Sequence, residues 1–252
     1  MDDYRNAETT GSQLVNAGGV STTFSPDAMT PEALISKLKA LVLDGPQCDI
    51  ATLLAFADSA RVSHEDLADT FIPAVARDLG EAWCSDQLGF AEVTIGTARL
   101  QALLRDLSKT WIADVALAPD ASTVLLLVPD GAHHTLGAMV LAGQLRRLGL
   151  SVRMSLWTTP AQVGQICEDS AFDAVFISAS RGQGLESLRQ IVETVKNAEN
   201  RVPPVVVGGS LLETDHDVIA LTGADYVANT ADEAVALCNL RTTRHRTQVM
   251  DN

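Results

Sequence analysis

The chain has 252 residues, 46% of them hydrophobic, and its 18 Lys and Arg against 32 Asp and Glu give a formal net charge of -14. This length fits one or two domains, and the apolar content is sufficient for a buried core. Because neutralising nucleic-acid phosphates requires clustered Lys and Arg, the acidic balance argues against tight direct binding of DNA.

The cysteines and the apolar runs indicate the compartment. Four cysteines stand far apart, with no Cys-x-x-Cys pair, at Cys48, Cys84, Cys167 and Cys238. This spacing indicates reduced thiols in a cytosolic protein and argues against a zinc site. No apolar run reaches the roughly 18 residues that a membrane span needs, and the N-terminus lacks the basic-then-apolar pattern of a signal peptide. We therefore expect a cytoplasmic protein that does not enter a membrane.

The N-terminal part of the chain predicts an arm followed by helices. Residues 1–29 are polar and rich in Gly, Ser and Thr, which is typical of a mobile arm. Residues 30–112 contain four segments with apolar residues at helical spacing, which together predict a four-helix bundle. The first segment begins at Thr30-Pro31, a helix cap followed by proline at the first helical position.

The third helix of this bundle has a predicted start and a predicted kink. Ser63 with Asp66 resembles a capping box, in which two residues at the helix start satisfy each other's backbone donors. Pro73 lies inside the apolar pattern that follows. Because proline lacks a backbone donor and clashes with the preceding turn, it should kink the helix.

The C-terminal part of the chain predicts a different architecture. Residues 113–122 contain Pro119 and are expected to form a linker, and residues 241–252 are expected to form a polar tail. Between them, short apolar runs alternate with helical patterns, and the runs lie at residues 123–128, 151–157, 174–177, 205–207 and 226–227. This alternation predicts a flavodoxin-like, Rossmann-like domain over residues 123–240, a five-stranded parallel sheet with strand order 2-1-3-4-5.

A distinctive loop follows the first predicted strand. Its sequence is Asp130-Gly131-Ala132-His133-His134-Thr135-Leu136-Gly137, so histidines are displayed where a strand ends and a helix begins. The third and fourth predicted strands end in small residues, namely Ser178, Ser180, Gly208 and Gly209. Ligands of doubly wound folds bind outside the carboxyl ends of the strands, so all these residues are expected to face one crevice. An imidazole in that crevice can hold a metal ion.

The His-x-x-Gly, Ser-x-Ser and Gly-Gly combination resembles the cobalamin-binding domain of B12-dependent methyltransferases, mutases and light-sensing regulators. The resemblance implies that His134 binds the lower face of the cobalt. It also implies a narrow slot for the displaced dimethylbenzimidazole tail of the cofactor, lined by Gly137, Ser178, Ser180, Gly208 and Gly209. His133 is the rival ligand, but only His134 has glycine three residues later. The family places an acidic residue two positions before the ligand, where this chain has Ala132.

Two other α/β families fit less well. A dinucleotide-binding fold requires Gly-x-Gly-x-x-Gly after its first strand, and the segment from Gly131 to Gly137 does not supply it. A phosphate-accepting receiver domain would need an aspartate at the end of its third strand and a lysine after its fifth. This chain has Ser178 and Ala228 in those neighbourhoods.

The loop before the last predicted helix of the bundle carries a further part of the resemblance. Leu79-Gly80-Glu81-Ala82-Trp83 looks like the helical cap that precedes cobalamin domains, where a tryptophan covers the upper face of the corrin. Relatives that hold adenosylcobalamin follow this tryptophan with a Glu-His pair, and by register those positions are Val93 and Thr94. The resemblance therefore implies a cofactor with a small upper ligand, in the aquo or hydroxo form. A tryptophan between helices otherwise serves as a core plug.

A cap and a cobalamin domain without an appended helix-turn-helix resemble the AerR/PpaA group of photosynthesis gene regulators. The resemblance implies a light-responsive antirepressor, not an enzyme, that acts on a repressor protein of the CrtJ/PpsR type. Two alternatives remain open from the sequence. The first is a corrinoid shuttle protein of a methyltransferase system, and the second is a sensor that holds heme on the same fold.

Overall fold

The computed structural model describes residues 29–45, 48–115, 121–131, 135–198 and 202–242. Side chains at positions 110 and 112–115 are not described. The predicted arm over residues 1–29 lies outside these ranges except for Met29, and the predicted tail over residues 241–252 lies outside them after position 242.

Helices form the N-terminal part of the described chain. They are α1 (Pro31–Leu43), α2 (Ile50–Ser59), α3 (His64–Asp66), α4 (Ile72–Cys84) and α5 (Phe90–Val115). Thr30 caps α1 as expected, since its hydroxyl oxygen accepts the Ala33 backbone N–H at 3.3 Å. The helices share one apolar core, whose most deeply buried members include Leu38, Val42, Ile72, Val75, Leu79, Leu100 and Leu103. We refer to α1–α5 together as the bundle.

The structure places a π-helical turn over Leu67–Phe71, directly before the helix that carries Pro73 in its first turn. The backbone N–H of Ile72 donates to the carbonyl of Leu67, five residues back. Pro73 has no N–H to continue the ordinary ladder, and its ring crowds the preceding turn. The preceding helix α3 begins after Ser63, whose hydroxyl accepts the Asp66 N–H and donates to the Asp66 carboxylate. A wider turn therefore separates α3 from α4.

Helix α5 is longer than the sequence indicated. It has 26 residues and ends at Val115, three residues beyond position 112, where the sequence pattern placed the end of the bundle. Nothing between Lys109 and Val115 breaks a helix, and the first proline that can do so is Pro119. Helix α5 is long, but neither it nor any other helix of the described residues has an apolar stretch long enough to span a bilayer.

The C-terminal part is a five-stranded parallel sheet of β1 (Thr123–Pro129), β2 (Ser151–Thr158), β3 (Ala174–Ser178), β4 (Val205–Gly208) and β5 (Tyr226–Val227). Its order is β2-β1-β3-β4-β5, which confirms the predicted fold. β1 is buried over almost its whole length because it has neighbours on both edges and helices on both faces.

Helices cover both faces of this sheet, as the alternating pattern predicts. They are α6 (Leu136–Arg147), α7 (Pro160–Asp169), α8 (Leu185–Lys196), α9 (Val218–Thr222) and α10 (Ala231–Leu237), with a 3-10 turn over Ser210–Glu213. One face packs against α6 and α10, and the other against α7, α8 and α9. α9 begins after Asp217, whose carboxylate caps the helix by accepting the Ala220 N–H.

The bundle and the sheet domain share a packed interface between α5 and α6. Trp111 of α5 belongs to the bundle core together with Val140 of α6. A Cβ at Gly143 would meet the Trp111 ring at 3.0 Å, so glycine permits the close approach of the two helices. The guanidinium of Arg147 lies 4.2 Å from the centre of the same ring and also pairs with Asp69 of the π turn. Aromatic packing and a partly buried charge pair thus fix α6 on the bundle.

Candidate functional site

The predicted site residues of the sheet domain follow the carboxyl ends of β1, β3 and β4. Ser178 ends β3 directly beside Gly208, which ends β4, and the two are paired in register. We call this edge of the sheet the carboxyl edge. Ala132, His133 and His134 lie outside the described residues, so the structure does not place the predicted cobalt ligand or its rival. The structure does describe both ends of that loop, at Gly131 and at Thr135.

Gly208 and Gly209 allow the strand ends to come very close together. A Cβ on Gly208 would lie 2.8 Å from the Ala228 carbonyl oxygen, and one on Gly209 would lie 2.4 Å from the Ala179 carbonyl oxygen. Gly209 also has φ +99° and ψ -173°, a conformation that is essentially restricted to glycine. Both glycines therefore allow backbone carbonyls to pack closely at the carboxyl edge, and the space that a side chain would take is already filled by these carbonyls.

Gly137 differs from this pair. It lies in the first turn of α6, and a Cβ there would have no atom of the described residues within 4 Å. Gly137 is also exposed, so the described residues leave the space beside it open. This is the position at which the His-x-x-Gly resemblance requires a close approach between the chain and a ligand.

The two serines of the Ser-x-Ser motif present hydroxyl groups at the same edge. Ser178 and Ser180 are both half-buried, and within the described part of the chain neither hydroxyl forms a hydrogen bond. Ser210, which the sequence analysis did not select, lies close by, because its hydroxyl oxygen accepts the Arg181 N–H at 3.3 Å. Half-buried hydroxyls without partners can each donate to or accept from a ligand.

Two glutamine amides hold the ends of the histidine loop, and sequence reasoning missed both. Gln183 Nε2 donates to the Asp130 carbonyl at 3.2 Å, and Gln101 Nε2 of α5 donates to the Thr135 hydroxyl at 3.1 Å. Gln183 Oε1 is buried and has no hydrogen-bond partner among the described residues. A buried acceptor without a donor is energetically unfavourable, so this atom suits a ligand that carries N–H groups.

The structure places Trp83 on the surface of the bundle. Trp83 is 50% exposed, which excludes the core plug as its role, and its ring packs against that of Phe90 at 6.5 Å between centroids. The two expected upper-face positions differ from each other. Val93 is half-buried against the bundle core, whereas Thr94 is exposed and its hydroxyl donates to the Phe90 carbonyl at 2.7 Å. Neither residue therefore has a free polar donor to offer a ligand.

Trp157 is an exposed aromatic residue at the carboxyl end of β2, and sequence reasoning did not select it. It lies near the end of β2, is 56% exposed, and has a left-handed backbone with φ +53°. The register between β1 and β2 shifts at this point, where Pro129 pairs with Thr158. A bulge of this kind re-aims a side chain at the rim of a sheet.

The cysteines supply no reactive thiolate among the described residues. All four cysteines are free thiols, as the sequence predicted. Burial raises the pKa of Cys167, and burial together with the charge of Asp225 raises the pKa of Cys238 to about 11. Among the described residues no group of three or more His, Cys, Asp and Glu side chains could hold a metal ion. The one predicted metal ligand, His134, is not among them.

Comparison with known proteins identifies the family. The profile of the "B12 binding domain" matches residues 122–238. A Rhodobacter capsulatus protein, described as an uncharacterized 20.5 kDa protein in the bchF-crtJ intergenic region, is 37% identical over 171 residues, which is 68% of this chain and 89% of that protein. The chain belongs to the B12-binding domain family. The location of the relative agrees with the resemblance to photosynthesis regulators of the AerR/PpaA type.

Two further similarities extend beyond the B12-binding domain. The HTH-type transcriptional repressor CarA of Myxococcus xanthus is 30% identical over 176 residues, which is 69% of this chain and 57% of CarA. The chain thus spans little more than half of CarA. The monomethylamine corrinoid protein of Methanosarcina barkeri has the same fold, with a TM-score of 0.66, 14% identity, and coverage of 82% of this chain and 98% of that one.

The described residues of this B12-binding domain fit a corrinoid. Cobalamin carries primary amides around its ring, and these can donate to the Gln183 acceptor and pair with the hydroxyls of Ser178 and Ser180. The open side of Gly137 leaves room for a large ligand next to the loop. Trp83 and Phe90 add exposed apolar surface on the bundle. These donors, acceptors and open surfaces belong to different elements, so a ligand would have to contact several of them at once.

Proposed function

We propose that this protein is a light-responsive transcriptional regulator that binds cobalamin and acts as an antirepressor on a repressor of the CrtJ/PpsR type. The observation that carries the proposal is the relative encoded between bchF and crtJ, because this chain matches 89% of the length of that relative. Similarity to the repressor CarA over 69% of this chain adds a second link to transcription. The proposal includes a cytoplasmic location and no catalytic activity.

We further propose that the protein acts through a protein partner and not by binding DNA itself. The net charge of -14 opposes the approach of a polyanion, because DNA binding releases counterions only where positive side chains replace them. We expect no specific shift of promoter DNA by this protein alone at submicromolar concentration, where specific DNA-binding proteins act. A salt-sensitive, sequence-specific shift without the repressor would contradict the proposal.

Within this proposal His134 would hold the cobalt ion, and Gly137, Ser178, Ser180 and Gln183 would contact the corrinoid and its tail. When bound, cobalamin would supply a cobalt ion whose upper ligand changes on illumination. His134→Ala should abolish or greatly weaken binding of hydroxocobalamin, whereas His133→Ala is the matched control and should do less. Equal affinity and an equal absorption spectrum for wild type and His134→Ala would refute the assignment of the ligand.

We propose that the pocket prefers a small upper ligand, in the aquo or hydroxo form, over an adenosyl group. Val93 is turned into the bundle core and the Thr94 hydroxyl already donates within its own helix, so neither can satisfy the polar atoms of an adenosyl group. Each polar group buried without a partner costs about 1–3 kcal/mol, and 1.4 kcal/mol is about tenfold in affinity. Trp83, exposed on the bundle, would cover the small ligand.

The decisive experiment offers adenosylcobalamin in the dark and after illumination, and measures what stays bound after desalting. Retention only after illumination supports the preference, and equal or tighter retention of the dark form refutes it. Trp83→Ala should weaken binding of hydroxocobalamin while leaving thermal unfolding of the free protein unchanged, since the side chain is largely exposed. Transfer of a cobalt-bound methyl group to an acceptor thiol would instead identify a corrinoid shuttle, and heme retention a heme sensor.

A further inference from the structure

Gln183 belongs to a tight turn that follows the Ser-x-Ser motif at the end of β3. The backbone N–H of Gln183 donates to the Ser180 carbonyl at 2.9 Å, which closes the turn. The backbone N–H of Arg181 in the same turn donates to the hydroxyl of Ser210, which lies just beyond β4. The turn is therefore held both by its own backbone and by the element that follows β4, so the Gln183 side chain starts from a fixed position.

The orientation of the Gln183 amide follows from the hydrogen bond that its nitrogen makes. Nε2 donates to the carbonyl of Asp130, just after β1, at 3.2 Å. Turning the amide over would bring its oxygen against that carbonyl, and two acceptors cannot bond to each other. The oxygen Oε1 therefore faces the other way, where it is buried and has no hydrogen-bond partner among the described residues. Because an amide oxygen can only accept, the group that satisfies Oε1 has to be a donor.

The residues just before Gln183 offer further groups of the kind that bind a primary amide. The hydroxyls of Ser178 and Ser180 can each donate or accept a hydrogen bond. A primary amide has two N–H donors and one acceptor, so it can bond to an amide oxygen and to a hydroxyl at the same time. A carboxylate has acceptors only, and opposite Oε1 it would leave two acceptors face to face. A site built to hydrogen-bond an N–H group strongly rejects an analogue that lacks it.

We propose that Gln183 selects corrinoids with amidated side chains and rejects those that carry a carboxylate in the same place. This inference rests on the proposed binding of cobalamin, whose ring bears primary amides. The net charge of -14 acts in the same direction, because it opposes the approach of an additional negative charge. The site thus distinguishes a fully amidated corrinoid from a precursor or breakdown product with a free carboxylate.

The test titrates the full chain with hydroxocobalamin and with its monocarboxylic acid isomers, in each of which one side-chain amide is hydrolysed to a carboxylate. Wild type should bind at least one isomer about tenfold more weakly than hydroxocobalamin, the loss expected when a buried acceptor has no donor. Gln183→Met removes the acceptor at similar side-chain length, so it should weaken hydroxocobalamin binding and reduce the penalty of that isomer. Gln183→Lys replaces the acceptor by a charged donor, so it should bind that isomer more tightly than hydroxocobalamin.

The ratio of the two affinities is the decisive measurement, because loss of the Gln183–Asp130 contact alone would weaken the binding of every corrinoid equally. Gln190→Lys introduces the same charge on an exposed face of α8 and should leave the ratio unchanged. Equal binding of hydroxocobalamin and every isomer by wild type, as expected if water satisfies Oε1, would overturn the inference. An unchanged ratio in Gln183→Met or in Gln183→Lys would do the same. Failure of the wild type to bind any corrinoid would instead refute the proposed function.

Discussion

Two glycines near the carboxyl edge should respond in opposite ways to the same substitution. Gly209→Ala places a methyl group 2.4 Å from the Ala179 carbonyl oxygen, at a backbone conformation that side chains do not tolerate. The backbone strain costs about 1–3 kcal/mol, and the overpacking costs a further 1–3 kcal/mol or so. That carbonyl also accepts the Leu211 N–H, so it cannot move freely away. We therefore expect the free energy of unfolding to fall by at least about 2 kcal/mol.

Gly137→Ala is the matched substitution. The new methyl group meets no atom within 4 Å and lies in the first turn of α6. Because alanine loses less backbone entropy than glycine in a helix, the free energy of unfolding should rise by up to about 1 kcal/mol. The same methyl group should lower the affinity for hydroxocobalamin, because it fills the open space beside the proposed cofactor.

Urea unfolding followed by circular dichroism measures both stability changes, and titration with hydroxocobalamin measures the effect on binding. A free energy of unfolding for Gly209→Ala within about 0.5 kcal/mol of wild type, a change typical of surface positions, would refute the close backbone packing at Gly209. If Gly137→Ala is more stable and binds hydroxocobalamin as tightly as wild type, the assignment of Gly137 to the cofactor site fails while the proposed fold of the edge remains intact.

Three further predictions concern other parts of the molecule. Arg147→Met should lower the free energy of unfolding by about 1–3 kcal/mol, because it leaves the Asp69 carboxylate partly buried and unpaired. The double variant Arg147→Met, Asp69→Asn should recover part of this loss in the same urea assay. Trp157→Gly should raise stability by about 1 kcal/mol, because glycine removes the left-handed strain of an exposed residue, and a lower stability would mean that the ring packs in solution. The thiol of Cys238 has its pKa raised from 9.0 to about 11, so the folded state holds its proton more tightly. Stability should therefore be insensitive to this group below pH 9 and fall between pH 9 and 11; this decline should be smaller in Cys238→Ala, and equal declines would refute the burial of the thiol.

The sheet domain could be predicted from the sequence because its strands are buried on both faces. Such strands read as continuous apolar runs, of which Val124 to Val128 is the clearest, and the helices between them carry an apolar stripe. The small residues at the ends of β3 and β4 then indicate, from the sequence alone, where the carboxyl edge lies. The sequence pattern placed the end of the bundle at residue 112, three residues short of the end of α5 at Val115, because the apolar periodicity weakens before the helix ends.

Other features of the site could not be predicted because they depend on how α5 and α6 pack together. Gln101 and Thr135 are 34 positions apart, and nothing in either local pattern indicates that their side chains meet. The Asp69–Arg147 pair is also unpredictable from local sequence, because it forms only when the π turn that carries Asp69 packs against α6. Trp157 requires a shift in strand register, which apolar periodicity does not reveal. Contacts of this kind are set by tertiary geometry and not by local sequence.

The core shared by α5 and α6 also limits where this chain can be divided or fused to another domain. Leu136, Met139 and Val140 of α6 pack into the bundle core, so a sheet domain produced alone would expose an apolar row to water. Exposed apolar patches of this kind promote association. Recombination that joins the B12-binding domain to a new effector is therefore expected to carry the bundle along. New fusion points belong before α1 or after α10, and not between α5 and β1.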